Sequence, residues 1–101
     1  TSVIFVARVD ERPVGFTQLY STYCSVDAST ICVLYDLYVQ QDARRLGAGK
    51  ALMNSALAHA KASGASRIDL ETEIDNVNAQ QLYESLGYIR DNVFYKYSLE
   101  V

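Results

Sequence analysis

Residues Ile31 to Val39 form an almost unbroken apolar run, and a glycine-punctuated turn follows within a few residues. An amphipathic stretch comes next, and then the alternating segment Arg67 to Glu73. The apolar run reads as a strand buried on both faces. Leu52, Met53, Ala56, Leu57 and Ala60 recur at helical spacing, which gives one apolar face to a helix from Gly47 to Ser63, with Gly64 as its C-terminal cap. Ile68, Leu70 and Thr72 alternate with Asp69, Glu71 and Glu73, the pattern of a half-buried strand. Strand, helix and strand in this order make a βαβ unit with parallel strands.

The remaining segments read as shorter elements. Val3 to Val9 is a strand, Asp10 to Pro13 a turn, Val14 to Tyr23 a second strand and Ser25 to Thr30 a second hairpin. Ala79, Leu82, Tyr83 and Leu86 line one face of a short helix closed by Gly87. Tyr88 to Arg90 and Phe94 to Val101 are expected as a final antiparallel pair. The fold class is therefore α/β: a mixed, mostly antiparallel sheet with a central parallel pair and flanking helices. The 101 residues suit one domain, and half of them are hydrophobic, enough for a core.

Composition bounds the partners. The formal charge is −3 and no basic stripe appears, which argues against nucleic acid. No apolar run is long enough to span a membrane, so a soluble, cytoplasmic protein is expected. Cys24 and Cys32 have no metal-ligand spacing and read as reduced structural thiols. His59, alone in mid-helix, reads as a flank residue, and no metal is expected.

The turn after the apolar strand is Arg44-Arg45-Leu46-Gly47-Ala48-Gly49-Lys50. Two glycines one residue apart let a backbone approach a ligand closely. The first turn of a helix has free N–H groups and a partial positive charge, so the junction is suited to an anion such as a pyrophosphate. It is not a Walker loop, because Arg44 stands where the first glycine belongs and Ala51 where Ser or Thr would hold magnesium. It is not a Rossmann fingerprint either, because Leu52 replaces the third glycine.

Downstream lies Asn76-Val-Asn-Ala79-Gln-Gln-Leu82-Tyr83-Glu-Ser-Leu-Gly87-Tyr88. Taken with the R-x-x-G-x-G turn, this N-x-x-A-x-x-L-Y-x-x-x-G-Y motif resembles the GNAT superfamily of N-acetyltransferases. Leu34-Tyr35-Asp36-Leu37-Tyr38-Val39 resembles the L-E-D-[LF]-[YF]-V strand of the branch that contains polyamine and thialysine acetyltransferases. The resemblance implies acetyl-CoA as cosubstrate. It implies that backbone groups of Leu37, Tyr38 and Val39 pair with the pantetheine arm, that main-chain groups of Arg45, Leu46, Gly47, Ala48, Gly49 and Lys50 hold the pyrophosphate with charge from Arg44 or Arg45, and that Asn76 also contacts the cofactor. Tyr83 matches the general acid for the departing thiolate; the alternative is a tyrosine that only packs. A GNAT domain normally places a strand and two helices before the segment matching Val3, so this chain is expected to lack that portion.

Acyl transfer to an amine also needs a base, since an alkylammonium has a pKa of ~10.4. In the polyamine branch a Glu occupies the place of Tyr35, and tyrosine is a poor base at neutral pH. Asp36 can hold a cationic substrate, order a water or pair with a buried partner, and Glu71 and Glu73 remain on the neighbouring strand. Tyr35 and Asp36 are the substrate-binding candidates. The expected activity is acetyl transfer to a primary amine of a small molecule or protein by direct attack in a ternary complex. The alternative is a non-catalytic acyl-CoA-binding module. The apolar first strand and the last one offer edges for a homodimer.

Overall fold

The computed structural model describes residues 2–101, the side chain of Arg45 excepted. Strands β1 (Ser2–Val9), β2 (Arg12–Cys24), β3 (Ser29–Val39) and β4 (Ile68–Leu70) form one sheet in the order β1-β2-β3-β4. The first two pairings are antiparallel and β3–β4 is parallel, with Cys32 opposite Ile68 and Leu34 opposite Leu70. Helix α1 (Ala48–Ala62) crosses between β3 and β4, as the βαβ reading requires, and α2 (Val77–Ser85) follows. The chain separates into two compact units, one ending at Glu71 and one running from Thr72 to Val101.

In the first unit, the β1–β2 hairpin turns at Asp10 and Glu11, both at positive φ (50° and 65°). That matches a two-residue loop whose twist follows the strands. Helix α1 buries Ala48, Leu52, Met53, Ala56 and Ala60; Leu57, expected on that face, is exposed. His59 is half-buried, its ring edge-on to Phe5 at 5.8 Å. The helix ends at Ser63, with Gly64 N–H bonding Lys61 O at 3.2 Å and Ala65 N–H bonding Ala60 O at 3.0 Å, a Schellman motif. Val14, Val39, Ala43, Ala48 and Leu52 form a buried cluster, with Phe5, Ala7, Val9 and Leu37 packed against it. This cluster fixes where β3 hands over to α1.

Three expectations change. Strand β3 is not buried on both faces, since Tyr35, Asp36 and Tyr38 are exposed. Tyr35 and Tyr38 share a sheet face with Ile4, Val6, Phe16 and Tyr20, as the cross-strand partners Ile4↔Gln18↔Tyr35 and Val6↔Phe16↔Tyr38 and the alternation along β2 show. Strand β4 covers three residues rather than Arg67 to Glu73, because the parallel ladder stops at Leu34, just before β3 bulges. Tyr88 to Arg90 and Phe94 to Val101 carry a strand pattern but no strand: residues 88–101 have no ladder partner among the described residues.

At the far end of β3, Arg67 bonds Asp69 at 2.9 Å and also Asp27 in the β2–β3 turn. Its Nη2 lies 3.7 Å from the Cys24 sulfur. Ser29 Oγ and Ser66 Oγ lie 3.0 Å apart beside it.

Candidate active site

The bulge in β3 is the first component of the site. Gln18 faces Tyr35 and Phe16 faces Tyr38, so Thr17 alone stands opposite Asp36 and Leu37. Asp36 absorbs the extra residue at φ 57°, a left-handed conformation that Asp tolerates better than most residues. Thr17 is fully buried, and its Oγ1 donates to Tyr35 O at 3.5 Å. Asp36 is exposed and makes no ion pair with the described residues, which removes the buried-partner reading.

Beyond the bulge, β3 pairs on one side only. Gln40 N–H bonds Val14 O at 2.7 Å, so the Gln40 amide points toward β2. Strand alternation then turns the N–H and C=O of Val39 the other way, and those of Leu37 two residues earlier with them. Val39 O accepts from Arg44 Nε at 3.0 Å on that side. Tyr38, by the same alternation, pairs back toward β2. Among the described residues no strand pairs with β3 on this edge past Leu34.

The second component is the glycine turn. Gln41–Leu46 is a 3-10 helix rather than an open loop, and Arg44 in it is tied to the end of β3. Gly47 then takes φ 78° and ψ 17°, ending that turn and starting α1. Nothing lies within 4 Å of where its Cβ would be, so what requires glycine here is conformation, not space. The first bond within α1 is Ala51 N–H to Gly47 O at 3.0 Å, so the amides of Ala48, Gly49 and Lys50 precede it. No side chain caps this end and no acid sits in its first turn, so its dipole is not neutralised locally. Leu46 and Lys50 are exposed, and Gly49 is half-buried. The side chain of Arg45, a cofactor candidate, lies outside the described residues.

A shallow groove on the exposed sheet face is lined by Gln18, Tyr20, Ser21, Val33, Tyr35 and Asp36, among others. The rings of Tyr20 and Tyr35 meet edge-to-face at 5.1 Å. Asp36 is the charged residue of the lining. Thus β3 brings Tyr35 and Asp36 to one groove and presents Leu37 and Val39 on its edge.

The second unit holds Asn76 and Tyr83. Asn76 is the N-cap of α2, and its Oδ1 accepts from Ala79 N–H at 3.2 Å. Tyr83 is buried, three residues from the helix end. Gly87 N–H bonds Glu84 O at 3.1 Å and Tyr88 N–H bonds Tyr83 O at 3.0 Å, a second Schellman motif. The rings of Tyr83 and Tyr88, 6.0 Å apart, supply its apolar contact. Burial raises the Tyr83 phenol above its ordinary pKa of 10.0, so the group is protonated at neutral pH. Tyr88 is raised by burial and by Tyr83.

Sequence reading did not assign roles to Thr17 and Gly15. The signal for Gly15 was available, since a glycine inside a strand often marks a close backbone approach. Among the described residues there is no His/Cys/Asp/Glu cluster suited to a metal, and no helix is long and apolar enough to cross a membrane.

This mixed four-stranded sheet with its crossover helix is an arrangement that the chain shares with solved acetyltransferases. The family model of the acetyltransferase (GNAT) family matches residues 1–88. The uncharacterized N-acetyltransferase YhfO of Bacillus subtilis is 43% identical over 100 residues, covering 99% of this chain and 67% of that protein. An aminoglycoside N(6')-acetyltransferase of Serratia marcescens is 31% identical over 101 residues, covering 94% of this chain and 69% of that one. A solved structure described as a probable acetyltransferase superposes with a TM-score of 0.88 at 36% identity, over 99% of this chain and 68% of its own. The chain belongs to the GNAT family of N-acetyltransferases.

Proposed function

We propose that this enzyme moves an acetyl group from acetyl-CoA to a primary amine by direct attack in a ternary complex. The observation that carries the reading is the adjacency of two backbone sites without a ladder or helix partner among the described residues: the edge N–H groups of β3 at Leu37 and Val39, and the amides of Ala48, Gly49 and Lys50. Acetyl-CoA has a complementary pair of groups. Its pyrophosphate suits the helix start, and its amide-bearing arm suits a strand edge, in the manner of strand addition.

In this reading the neutral amine nitrogen attacks the thioester carbon, and an edge N–H of β3 stabilises the oxyanion. The carbon–sulfur bond breaks and the ammonium proton passes to water. Tyr83 gives its proton to the thiolate, and its phenolate regains one from solvent. The raised phenol pKa keeps the donor loaded, and it makes full transfer to a thiolate of pKa ~8.5 uphill, so the hydrogen bond forms before the proton moves. Asn76 contacts the cofactor while its Oδ1 caps α2. Tyr35 and Asp36 bind the acceptor as it arrives: the ring attracts its ammonium and the carboxylate pairs with it, and that ammonium gives a proton to water before the neutral amine attacks.

The test is thiol release from acetyl-CoA across a panel of primary amines, beside calorimetric binding of acetyl-CoA. Amine-dependent release is expected. Binding without release would leave an acyl-CoA-binding module, and absence of binding would remove both readings. The exposed apolar face of Ile4, Val6, Phe16 and Tyr38 supports self-association as a homodimer. Light scattering at micromolar concentration checks it, and a monomer would end that reading.

A further inference from the structure

We propose that Gly15 is a positioning residue for acyl-CoA, because it sets how far the Val39 N–H stands out from the sheet. The inference rests on the cofactor reading above and adds a residue on the neighbouring strand that does not touch the cofactor.

Gly15 is buried in β2, directly opposite Val39. A Cβ built on it would lie 2.6 Å from Tyr38 O, 3.2 Å from Val39 Cα and 3.2 Å from Val39 Cγ2. The nearest of these is a backbone atom and cannot rotate away. Gly15 is not among the glycines at positive φ, so glycine is needed here for space alone.

The carbonyl of Tyr38 and the N–H of Val39 belong to one peptide. A trans peptide is a rigid plane with its oxygen and hydrogen on opposite sides. Here the oxygen presses toward Gly15 while the N–H leaves on the unpaired edge. A methyl group at Gly15 therefore pushes the whole plane outward by some tenths of an ångström. The neighbouring constraints keep the shift local. Gln40 N–H is held by Val14 O at 2.7 Å, and Val39 O is held by Arg44 Nε at 3.0 Å; both bonds anchor the Val39–Gln40 peptide, so the Tyr38–Val39 peptide before it must tilt about Val39 Cα. A tilt misdirects the edge donor without disturbing the α1 start, whose amides lie beyond the 3-10 turn.

The two halves of acyl-CoA should then respond differently to Gly15→Ala. 3'-Phosphoadenosine 5'-diphosphate carries the pyrophosphate without the acyl arm and reports the phosphate side alone, and acetyl-CoA reports both sides. We expect the variant to bind acetyl-CoA roughly three- to tenfold more weakly, the scale of one backbone hydrogen bond. Binding of the nucleotide diphosphate should match wild type. Equal losses for both ligands would mean general damage to the sheet, and no loss for either would mean that the Val39 N–H is not positioned by Gly15; both results overturn the proposal. If wild type binds the nucleotide diphosphate but gains nothing from the acyl arm, the edge itself is not a site, and the cofactor reading falls with it. Should Gly15→Ala prove unfolded at 25 °C, the wild-type Val39 amide decides. Acetyl-CoA must slow its hydrogen exchange and the nucleotide diphosphate must not, and unchanged exchange with acetyl-CoA overturns the proposal.

Discussion

Gly49 occupies the second position of α1, where its amide is one of three that precede the helix's own bonding. Valine there keeps helical backbone angles and has a slightly better helix propensity than the glycine it replaces, by about 0.5 kcal/mol or less. Its branched side chain would nevertheless stand over the amides. Gly49→Val is therefore expected to weaken acetyl-CoA binding at least tenfold by calorimetry with little change in Tm. Asn76 separates its two tasks in another way. Asn76→Ala removes the cap on Ala79 and should cost about 1 kcal/mol in denaturant unfolding. Asn76→Asp keeps the cap oxygen and adds charge favourable to a helix start. If the amide NH₂ of Asn76 meets the cofactor, the aspartate variant loses acetyl-CoA affinity at unchanged stability.

At the scale of elements, α2 is closed by a pair of aromatic rings, one of which belongs to the proposed acid. Tyr83→Phe keeps the ring against Tyr88 and deletes the hydroxyl. We expect kcat to fall ~100-fold or more while acetyl-CoA affinity stays near wild type, with a smaller loss for an acyl donor whose thiol leaves more readily. An unchanged kcat would make Tyr83 a packing residue. The phenol also links stability to pH. Its folded pKa is raised above the unfolded value of ~10, so its contribution is complete below pH 10. As pH rises further, the unfolded chain releases this proton first and stability falls. Urea unfolding at pH 9 and pH 11 should show a larger drop in wild type than in Tyr83→Phe.

The legibility of these elements followed from their range. The crossover from β3 through α1 to β4 was readable because each part repeats a local period: apolar run, helical stripe, alternation. The glycine turn and the Asn76–Tyr83 motif were readable as residue types at fixed spacing. The bulge was not, because two residues opposite one is a property of the pairing between Thr17 and Asp36–Leu37, and no single strand records it. For the same reason Asp36 looked like a buried acid and proved exposed. Phe94 to Val101 has the alternation of a strand, but a strand also needs a partner, and alternation does not supply one.

For the whole molecule, the proposed ligand sites of the first unit and its charged cluster lie at opposite ends of β3. Arg67 holds Asp27 and Asp69 near Ser29, while the unpaired edge lies at Leu37 to Val39. These ion pairs are substantially exposed and hence screened by salt. Arg67→Met should lower Tm in dilute buffer, with the difference narrowing in 1 M salt, and should leave acetyl-CoA affinity unchanged. A parallel loss of affinity would show that the two ends are coupled.

Strand β3 thus resembles a beam fixed at both ends and open along one side of its far span. Near Ser29 it is flanked by β2 and β4 and bonded to Ser66 and to the Arg67 carbonyl, and at Val39 it is held by Arg44 and by the buried cluster with α1. Past Leu34 its ladder partner among the described residues is β2. A beam of this kind keeps its ends in place when a load is added along the open side, so an acyl chain laid there would add lateral support without shifting either anchor.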